Sequence, residues 1–407
     1  MKRGLLDLGL IAVLVLSPTA VFWPIDAACA ADSAIPIGPY LQNPAPDAMT
    51  VMFCTDAADP CVVEYGRAKN RFDHKAAVVR ASAQEASLFK ARLEGLEPGT
   101  VYYYRIATEK TGNVLSDAHS FTTQNPKAAK VTALFFNDLH NNIPLLRKMQ
   151  PLWRDIPFDF MLFNGDCWPD AERFRSLAML TAVPQICSGA DQPMLFLRGN
   201  HEYRGPWHDT LMDFFDVPMR QENKYYFAFT QGPVRFVCLD CGEDEFKREA
   251  ELLPYREEEL RWIKQETTGQ PFKEAKYRVL VTHLALYGIH PNDSSQPCHA
   301  LWSSAVDKAC FDLCIAAHVH TPCLLLPADV RVYNTPADVR KNPYSILVGG
   351  GPAMDGPEAG TMILLEADDA KLRARTIGVD GKTLYDCKVL ASGVNNARDG
   401  RYTLHGQ

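Results

Sequence analysis

Five short segments of the chain place oxygen and nitrogen donors directly after apolar runs. They are Asn137-Asp138-Leu139-His140, Asn164-Gly165-Asp166, Gly199-Asn200-His201-Glu202, Val281-Thr282-His283 and Ala317-His318-Val319-His320. None of the five contains a thiol. Carboxylate, imidazole and amide oxygen together suit a divalent transition ion such as Zn, Mn or Fe. Asp138 and His140 stand two apart, so on an extended strand end their side chains point the same way, and His318 with His320 repeats the spacing. A carboxylate touching two ions would hold them about 3.5–4 Å apart, the separation of two-metal hydrolases. Asp166 is the expected bridge, and Asn200 offers a neutral oxygen. One Asp after a strand is ordinarily a turn or a helix cap, and one His at a strand end is ordinarily structural. The five segments together predict a metal centre.

The runs leading into these segments describe the elements that must position them. Val131–Phe136, Phe158–Phe163, Met194–Leu197, Tyr277–Val281 and Leu313–Ala317 are short and nearly all apolar, as in a sheet buried on both faces. Helix-like segments, Pro144–Asp155, Ala171–Ala182 and Arg256–Thr267, alternate with them, and Val234–Leu239, Ser345–Gly350 and Thr361–Ala367 read as further strands. In layered α/β folds ligands collect beyond the carboxyl ends of the strands. Residues far apart in sequence are therefore expected at one place. Gly349-Gly350-Gly351 is not read as a phosphate loop, because the Lys-Ser/Thr pair and the following helix are missing.

The order Asp-x-His, Gly-Asp, Gly-Asn-His-Glu, a single His after a strand, then His-x-His resembles the calcineurin-like metallophosphoesterases. The likeness runs from about Lys130 to the C-terminus. It implies a four-layer α/β/β/α domain holding two divalent ions. Asp138, His140, Asp166 and His320 would surround the first, and Asp166, Asn200, His283 and His318 the second. His201 would be a non-ligand histidine beside the leaving group or the phosphoryl oxygens, with Asp170 placed to pair with it and Glu202 to orient it or a metal ligand. The implied activity is phosphoric ester hydrolysis by a metal-activated hydroxide, formed as the pKa of bound water falls toward about 7. Attack is in line and needs no covalent phospho-enzyme. The ions would make the site positive although the chain carries a formal net charge of −7. Arg204 is an expected substrate contact, since a guanidinium can bind phosphate through two bonds. His290, or Asp293 beside it, stands near the place of a substrate-side histidine in purple acid phosphatases. Small phosphomonoesters are the leading substrate class. Phosphodiesters or nucleotides on the same core are the alternative, and a non-catalytic phosphate-binding or surface protein is the alternative of another class.

Upstream, Gly38-Pro39-Tyr40-Leu41-Gln42-Asn43-Pro44, Val63-Glu64-Tyr65-Gly66, Leu96-Glu97-Pro98-Gly99-Thr100 and Val101-Tyr102-Tyr103-Tyr104-Arg105 lie within Pro36–Thr123. This stretch resembles the fibronectin-III-like N-terminal domain of purple acid phosphatases, and its period-two alternation between turn signals predicts a small all-β sandwich. The catalytic part departs from those enzymes twice. They carry a Gly where His140 stands, and a Tyr where Pro169 stands. A ferric tyrosinate has no ligand here, so a colourless divalent centre is expected.

With 407 residues, 47% of them hydrophobic, the chain can build two cores. The expected division is a leader over 1–30, the sandwich over 34–124 and the phosphoesterase domain over 130–407. Lys2-Arg3, an apolar stretch to Leu16 and Ala28-Cys29-Ala30 read as a secretory signal, which makes the mature protein secreted or periplasmic. That stretch is shorter than the ~20 residues of a membrane span, and Asp26 argues against lipidation of Cys29. No basic patch predicts a nucleic-acid surface, and the oligomeric state stays open. Twelve cysteines less Cys29 leave an odd number, so at least one has no partner within the chain. Cys54 and Cys61 could pair across a turn. Cys238-x-x-Cys241 and Cys310-x-x-x-Cys314 read as core thiols.

Overall fold

Alternating burial builds the N-terminal part. In the computed structural model, which describes residues 34–219, 222–244, 248–288, 296–327, 342–351, 360–391 and 402–404, eight strands come first. They are β1 (Ile37–Gln42), β2 (Ala48–Cys54), β3 (Cys61–Gly66), β4 (His74–Ala77), β5 (Val79–Arg80), β6 (Leu88–Glu94), β7 (Val101–Thr108) and β8 (His119–Thr122). They form two sheets, ordered β1-β2-β6-β5 and β4-β3-β7-β8. On β7, Tyr102, Tyr104 and Ile106 point inward while Val101, Tyr103 and Arg105 do not. The inward set packs with Val51, Phe53 and Leu93 of the facing sheet. Cys54 and Cys61 are both free thiols, contrary to the pairing expected between them. Cys54 ends a strand of one sheet and Cys61 opens a strand of the other. The expected leader and His290 lie outside the described residues.

The larger part alternates strands and helices: β9 (Val131–Phe136), α1 (Ile143–Met149), β10 (Phe160–Asn164), α2 (Arg173–Ile186), β11 (Met194–Leu197), α3 (His208–Met212), β12 (Phe227–Gln231), β13 (Val234–Leu239), α4 (Glu249–Thr268), α5 (Gln270–Glu274), β14 (Tyr277–Thr282), α6 (Gln296–Ala309) and β15 (Leu313–Ala316). Strands β16 (Cys323–Leu325), β17 (Ser345–Val348), β18 (Thr361–Ala367), β19 (Lys371–Gly378), β20 (Thr383–Leu390) and β21 (Tyr402–Leu404) follow. One sheet is ordered β11-β10-β9-β18-β19-β20-β21 and the other β12-β13-β14-β15-β17-β16. Within them β9, β10 and β11 are parallel, as are β13, β14, β15 and β17.

Successive residues of one strand show the layering. Phe135 meets Phe236 of the opposing sheet with ring centroids 6.3 Å apart, while Phe136 meets Trp153 on the other side at 4.9 Å. Likewise Val279, Val281 and Ile315 face the other sheet. Leu280, Cys314 and Ile346 face Ile263, Trp302 and Val306 of α4 and α6. The result is the expected order helix, sheet, sheet, helix. Helix α1 starts where the Asn142 side chain accepts the Leu145 N–H, with Pro144 in the first turn. It ends sooner than the apolar pattern predicts, because Pro151 gives way to a 3₁₀ turn over Gln150–Leu152.

Candidate metal centre

Loops leaving β9, β10 and β11 of one sheet and β14 and β15 of the other are stitched to one another. Asp138 N–H donates to the Gly165 carbonyl and His140 N–H to the Asp166 carbonyl, each at 3.0 Å. His201 N–H donates to Asp166 Oδ1 at 3.0 Å, and His318 N–H to Asp138 Oδ2 at 3.1 Å. Across the two sheets, Asn164 Nδ2 donates to the Thr282 carbonyl at 2.9 Å and His283 Nδ1 to the Asn164 carbonyl at 2.7 Å. Donors from five strand ends thereby meet in one place.

Their backbone differs from the extended geometry that the two-residue spacing suggested. Asp138, His140, Asp166, His318 and His320 all have positive φ, at 49°, 43°, 53°, 74° and 56°. Each such residue costs roughly 1–2 kcal/mol against the right-handed form, and the cross-loop bonds hold it there. Two glycines make the close approach possible. A Cβ on Gly199 would collide with Asp166 Oδ1, and one on Gly351 would lie 2.5 Å from Asp138 Cβ. The glycine run dismissed as a phosphate loop therefore has a packing role against the metal-side loop.

Three overlapping sets of donor atoms result: Asp138, His140 and His320; His140, Asp166 and His201; Asp166, His283 and His318. Within each set the atoms lie inside 4.8 Å of one another. His140 Nε2 is 3.1 Å from His320 Nε2, and His320 Nε2 is 3.5 Å from Asp138 Oδ1. His283 Nε2 is 3.1 Å from Asp166 Oδ2, and His318 Nδ1 is 3.1 Å from Asn200 Oδ1. Two ligands at right angles around an ion about 2.1 Å from each stand about 3 Å apart, which is this spacing. The fit is tested further by Asp138 Oδ1, which is buried without a hydrogen-bond partner, and by the buried His283 Nε2, which faces the carboxylates of Asp166 and Asp138. The Nδ1–H of His283 is committed to a carbonyl, so Nε2 is the nitrogen left for a cation.

The electrostatics agree with a site built for positive charge. Burial pushes the Asp138 carboxyl up, and the charge on Asp166 adds to the effect. Burial also acts upward on Asp166, but His283, His201 and His140 outweigh it and hold that carboxyl well below its ordinary range. His283 is drawn up to about 10 against the effect of its burial, by Asp166 and Asp138. His140 and His318 fall to about 4, chiefly through burial, with charge on neighbouring histidines assisting. Both are neutral imidazoles at neutral pH, the form that donates to a metal.

Other expected residues divide. His201 Nδ1 donates to the Pro169 carbonyl, which fixes the tautomer, and its Nε2 lies 3.2 Å from Arg204 Nη1 and 3.9 Å from Asp166 Oδ2. Asp170, expected as a partner for His201, is exposed, and the Pro169 carbonyl takes that place. Glu202 does not orient the His201 ring. Its carboxylate accepts the N–H groups of Asp166 (2.9 Å), Cys167 (2.9 Å) and Gly199 (2.7 Å), clamping the two metal-side loops together. Burial and the Asp166 charge raise Glu202 to about 7. Arg204 reaches the cluster, with Nε held by Glu243 at 2.9 Å and Nη2 by both Glu243 and Asp244. His208 bonds the Gly205 carbonyl as an ordinary loop side chain. Glu243 and Asp244 were not foreseen. Their signal was available, since they follow Val234–Leu239 as the other donors follow their own strands.

A four-layer α/β/β/α fold with buried Asp and His donors beyond its strand ends defines a metal-dependent hydrolase. Residues 131–322 match the calcineurin-like phosphoesterase family, and residues 36–123 match the purple acid phosphatase N-terminal domain. The part that carries the donors is thus a metal-dependent phosphoesterase domain, and a domain of the purple acid phosphatase N-terminal type precedes it. Its fold is similar to that of a purple acid phosphatase from yellow lupin (Lupinus luteus) seeds. The TM-score is 0.65 at 15% identity, over 88% of this chain and 75% of that one. It is also similar in fold to PhoD, with a TM-score of 0.61 at 12% identity over 89% and 92%. No curated relative matches it in sequence. Among the described residues no helix is long and apolar enough to cross a membrane.

Proposed function

We propose that the protein is a phosphomonoesterase working with two divalent ions, Fe, Mn or Zn. The observation that carries the two-ion reading is the Asp166 carboxylate, which belongs both to a donor set with His140 and His201 and to one with His283 and His318. Asp138, His140, Asp166 and His320 would hold one ion, and Asp166, Asn200, His283 and His318 the other. Such ions acidify water and draw charge from phosphoryl oxygens when bound. His201 donates its Nδ1–H to the Pro169 carbonyl and is read as a non-ligand that turns Nε2 to the ester, where it would pass a proton to the leaving oxygen. Arg204 Nη1, which lies beside His201 Nε2, would meet a phosphoryl oxygen there while Glu243 and Asp244 hold its other arms. A monoester dianion has more charge for that arm to meet than a diester does, which supports the monoester reading. We further read residues 1–30 as a leader, 34–124 as the sandwich and 130–407 as the catalytic domain, with the mature protein secreted or periplasmic.

The test compares turnover of p-nitrophenyl phosphate with that of its bis-ester. The monoester should be preferred by at least about tenfold, and a preference for the bis-ester sinks the monoester reading. Asp166→Asn should abolish metal loading together with turnover. His201→Ala should keep both ions and lose roughly 10²–10⁴ in kcat, the usual worth of a proton-transfer group.

A further inference from the structure

Asn200 poses a problem of orientation that its own geometry does not solve. Its amide oxygen and nitrogen are nearly isosteric, yet only the oxygen can face a cation. The residue is 1% exposed, so bulk water does not choose for it. The choice is made by its neighbours. Nδ2 lies 3.0 Å from Asp244 Oδ1, and Oδ1 lies 3.1 Å from His318 Nδ1. An ionised carboxylate only accepts hydrogen bonds. A flipped amide would set oxygen against oxygen at Asp244 and present N–H groups to the ion.

Asp244 is itself held in place by a braced loop. Its N–H donates to Glu243 Oε1 at 3.0 Å, and Oδ1 also accepts Arg204 Nη2. Behind it, the buried Arg256 guanidinium donates to the Cys241 carbonyl at 2.7 Å and to the Glu243 carbonyl at 2.8 Å. Asp240, at the start of the loop, accepts the hydroxyls of Tyr203 at 2.9 Å and Tyr255 at 3.0 Å, and pairs with Arg198. A loop braced on either side of Gly242 can impose an orientation on a side chain that leans on it.

We infer that Asp244 is a positioning residue for the second ion: it locks the Asn200 amide with its oxygen toward His318 and the cluster. Asp244 does so through Oδ1, while its Oδ2 lies 4.0 Å from His318 Nε2. The inference rests on the two-ion reading above.

The experiment titrates the metal-free full-length protein with Mn²⁺ by calorimetry, for wild type, Asp244→Ala and Asp244→Asn. Wild type should take up two ions. Asp244→Ala should weaken one binding step by about 10- to 100-fold, the usual loss when an outer partner of a metal ligand is removed. The other step should keep its affinity, which also shows the variant to be folded. Asp244→Asn retains a carbonyl oxygen able to accept from both Asn200 and Arg204, so it should bind within about threefold of wild type at both steps. Wild-type affinity in Asp244→Ala overturns the inference alone, as does a loss in Asp244→Asn equal to that in Asp244→Ala. Uptake of one ion or none by wild type overturns the two-ion reading, and this inference with it.

Discussion

Burying a carboxyl group with one oxygen unmet opposes folding, and Glu259 is such a group. Oε1 accepts the Asp240 N–H at 2.9 Å, while Oε2 is buried without a partner. Burial, and then the Asp240 charge, push this carboxyl well above its usual range. A folded-state pKa above the unfolded value means that stability is fully present below about pH 4.3 and is lost as pH rises toward the folded value. Glu259→Gln keeps the acceptor and cannot ionise. Its urea midpoint should exceed that of wild type at pH 8, and the gap should narrow toward pH 4. A gap that does not change with pH would refute the assignment. Residues of this kind are hard to see in a sequence, because Glu259 stands among charged neighbours on a helix that reads as solvent-facing. The metal-side donors are easier to see, since an Asp or His directly after an apolar run combines two independent signals. Asp244 carries the same two signals but departs from the order of motifs that drew attention to the others. Glu202 was visible as a residue, yet its clamp on three backbone N–H groups belongs to loops distant in sequence.

At the level of elements, the buried parallel strands were legible because both their faces are apolar. Val131–Phe136 and Met194–Leu197 form as the runs suggest. Strands β19 and β20 were passed over. Each alternates inward and outward residues and carries Arg, Asp and Lys on its open face, as in the ion pair of Arg373 with Asp386 at 2.7 Å. Helix α4 begins before Pro254, which reads as a breaker in sequence but is accommodated within the helix. Helix α6 follows a segment with little patterning of its own and is anchored by tertiary packing. Trp302 is wholly buried, and its indole N–H donates to the Arg256 carbonyl at 3.0 Å, tying α6 to α4. The same Arg256 braces the loop that carries Asp244. Trp302→Ala should therefore cost about 3–5 kcal/mol, the range for removing a buried aromatic, seen as a lower denaturant midpoint. A loss below about 1 kcal/mol would show that α6 is not held through this side chain.

On the scale of the whole molecule, the sandwich could be read from its alternation but not its attachment, because a docking face looks like any other half-buried strand. In the structure, Ile37, Tyr40, Met52, Cys54 and Leu88 join the hydrophobic core of the catalytic layers. Tyr40 and Gln42 line a cavity of about 30 Å³ together with Trp168, two residues beyond Asp166. Leu41 N–H donates to the Gly189 carbonyl at 2.8 Å and Tyr104 to the Ala190 carbonyl at 2.7 Å. Asp216 is the charged centre of this contact, accepting from Thr50 Oγ1 at 2.6 Å, Lys90 Nζ at 2.9 Å and Asn43 Nδ2 at 3.1 Å. Burial acts upward on its pKa, but those three donors outweigh it and hold the carboxyl below its ordinary range. A folded value below the unfolded one, about 3.9, gives stability that is present above that pH and lost as pH falls through the folded value. Asp216→Asn should cost about 1–3 kcal/mol at pH 7, as expected for hydrogen bonds to a buried charge. The cost should shrink as pH falls below the unfolded value and the wild-type carboxyl takes up its proton. Because the two parts share one core, calorimetry of the full chain should show a single transition that moves down intact in the variant. A separate early transition would mean that the sandwich folds apart from the layers it packs against.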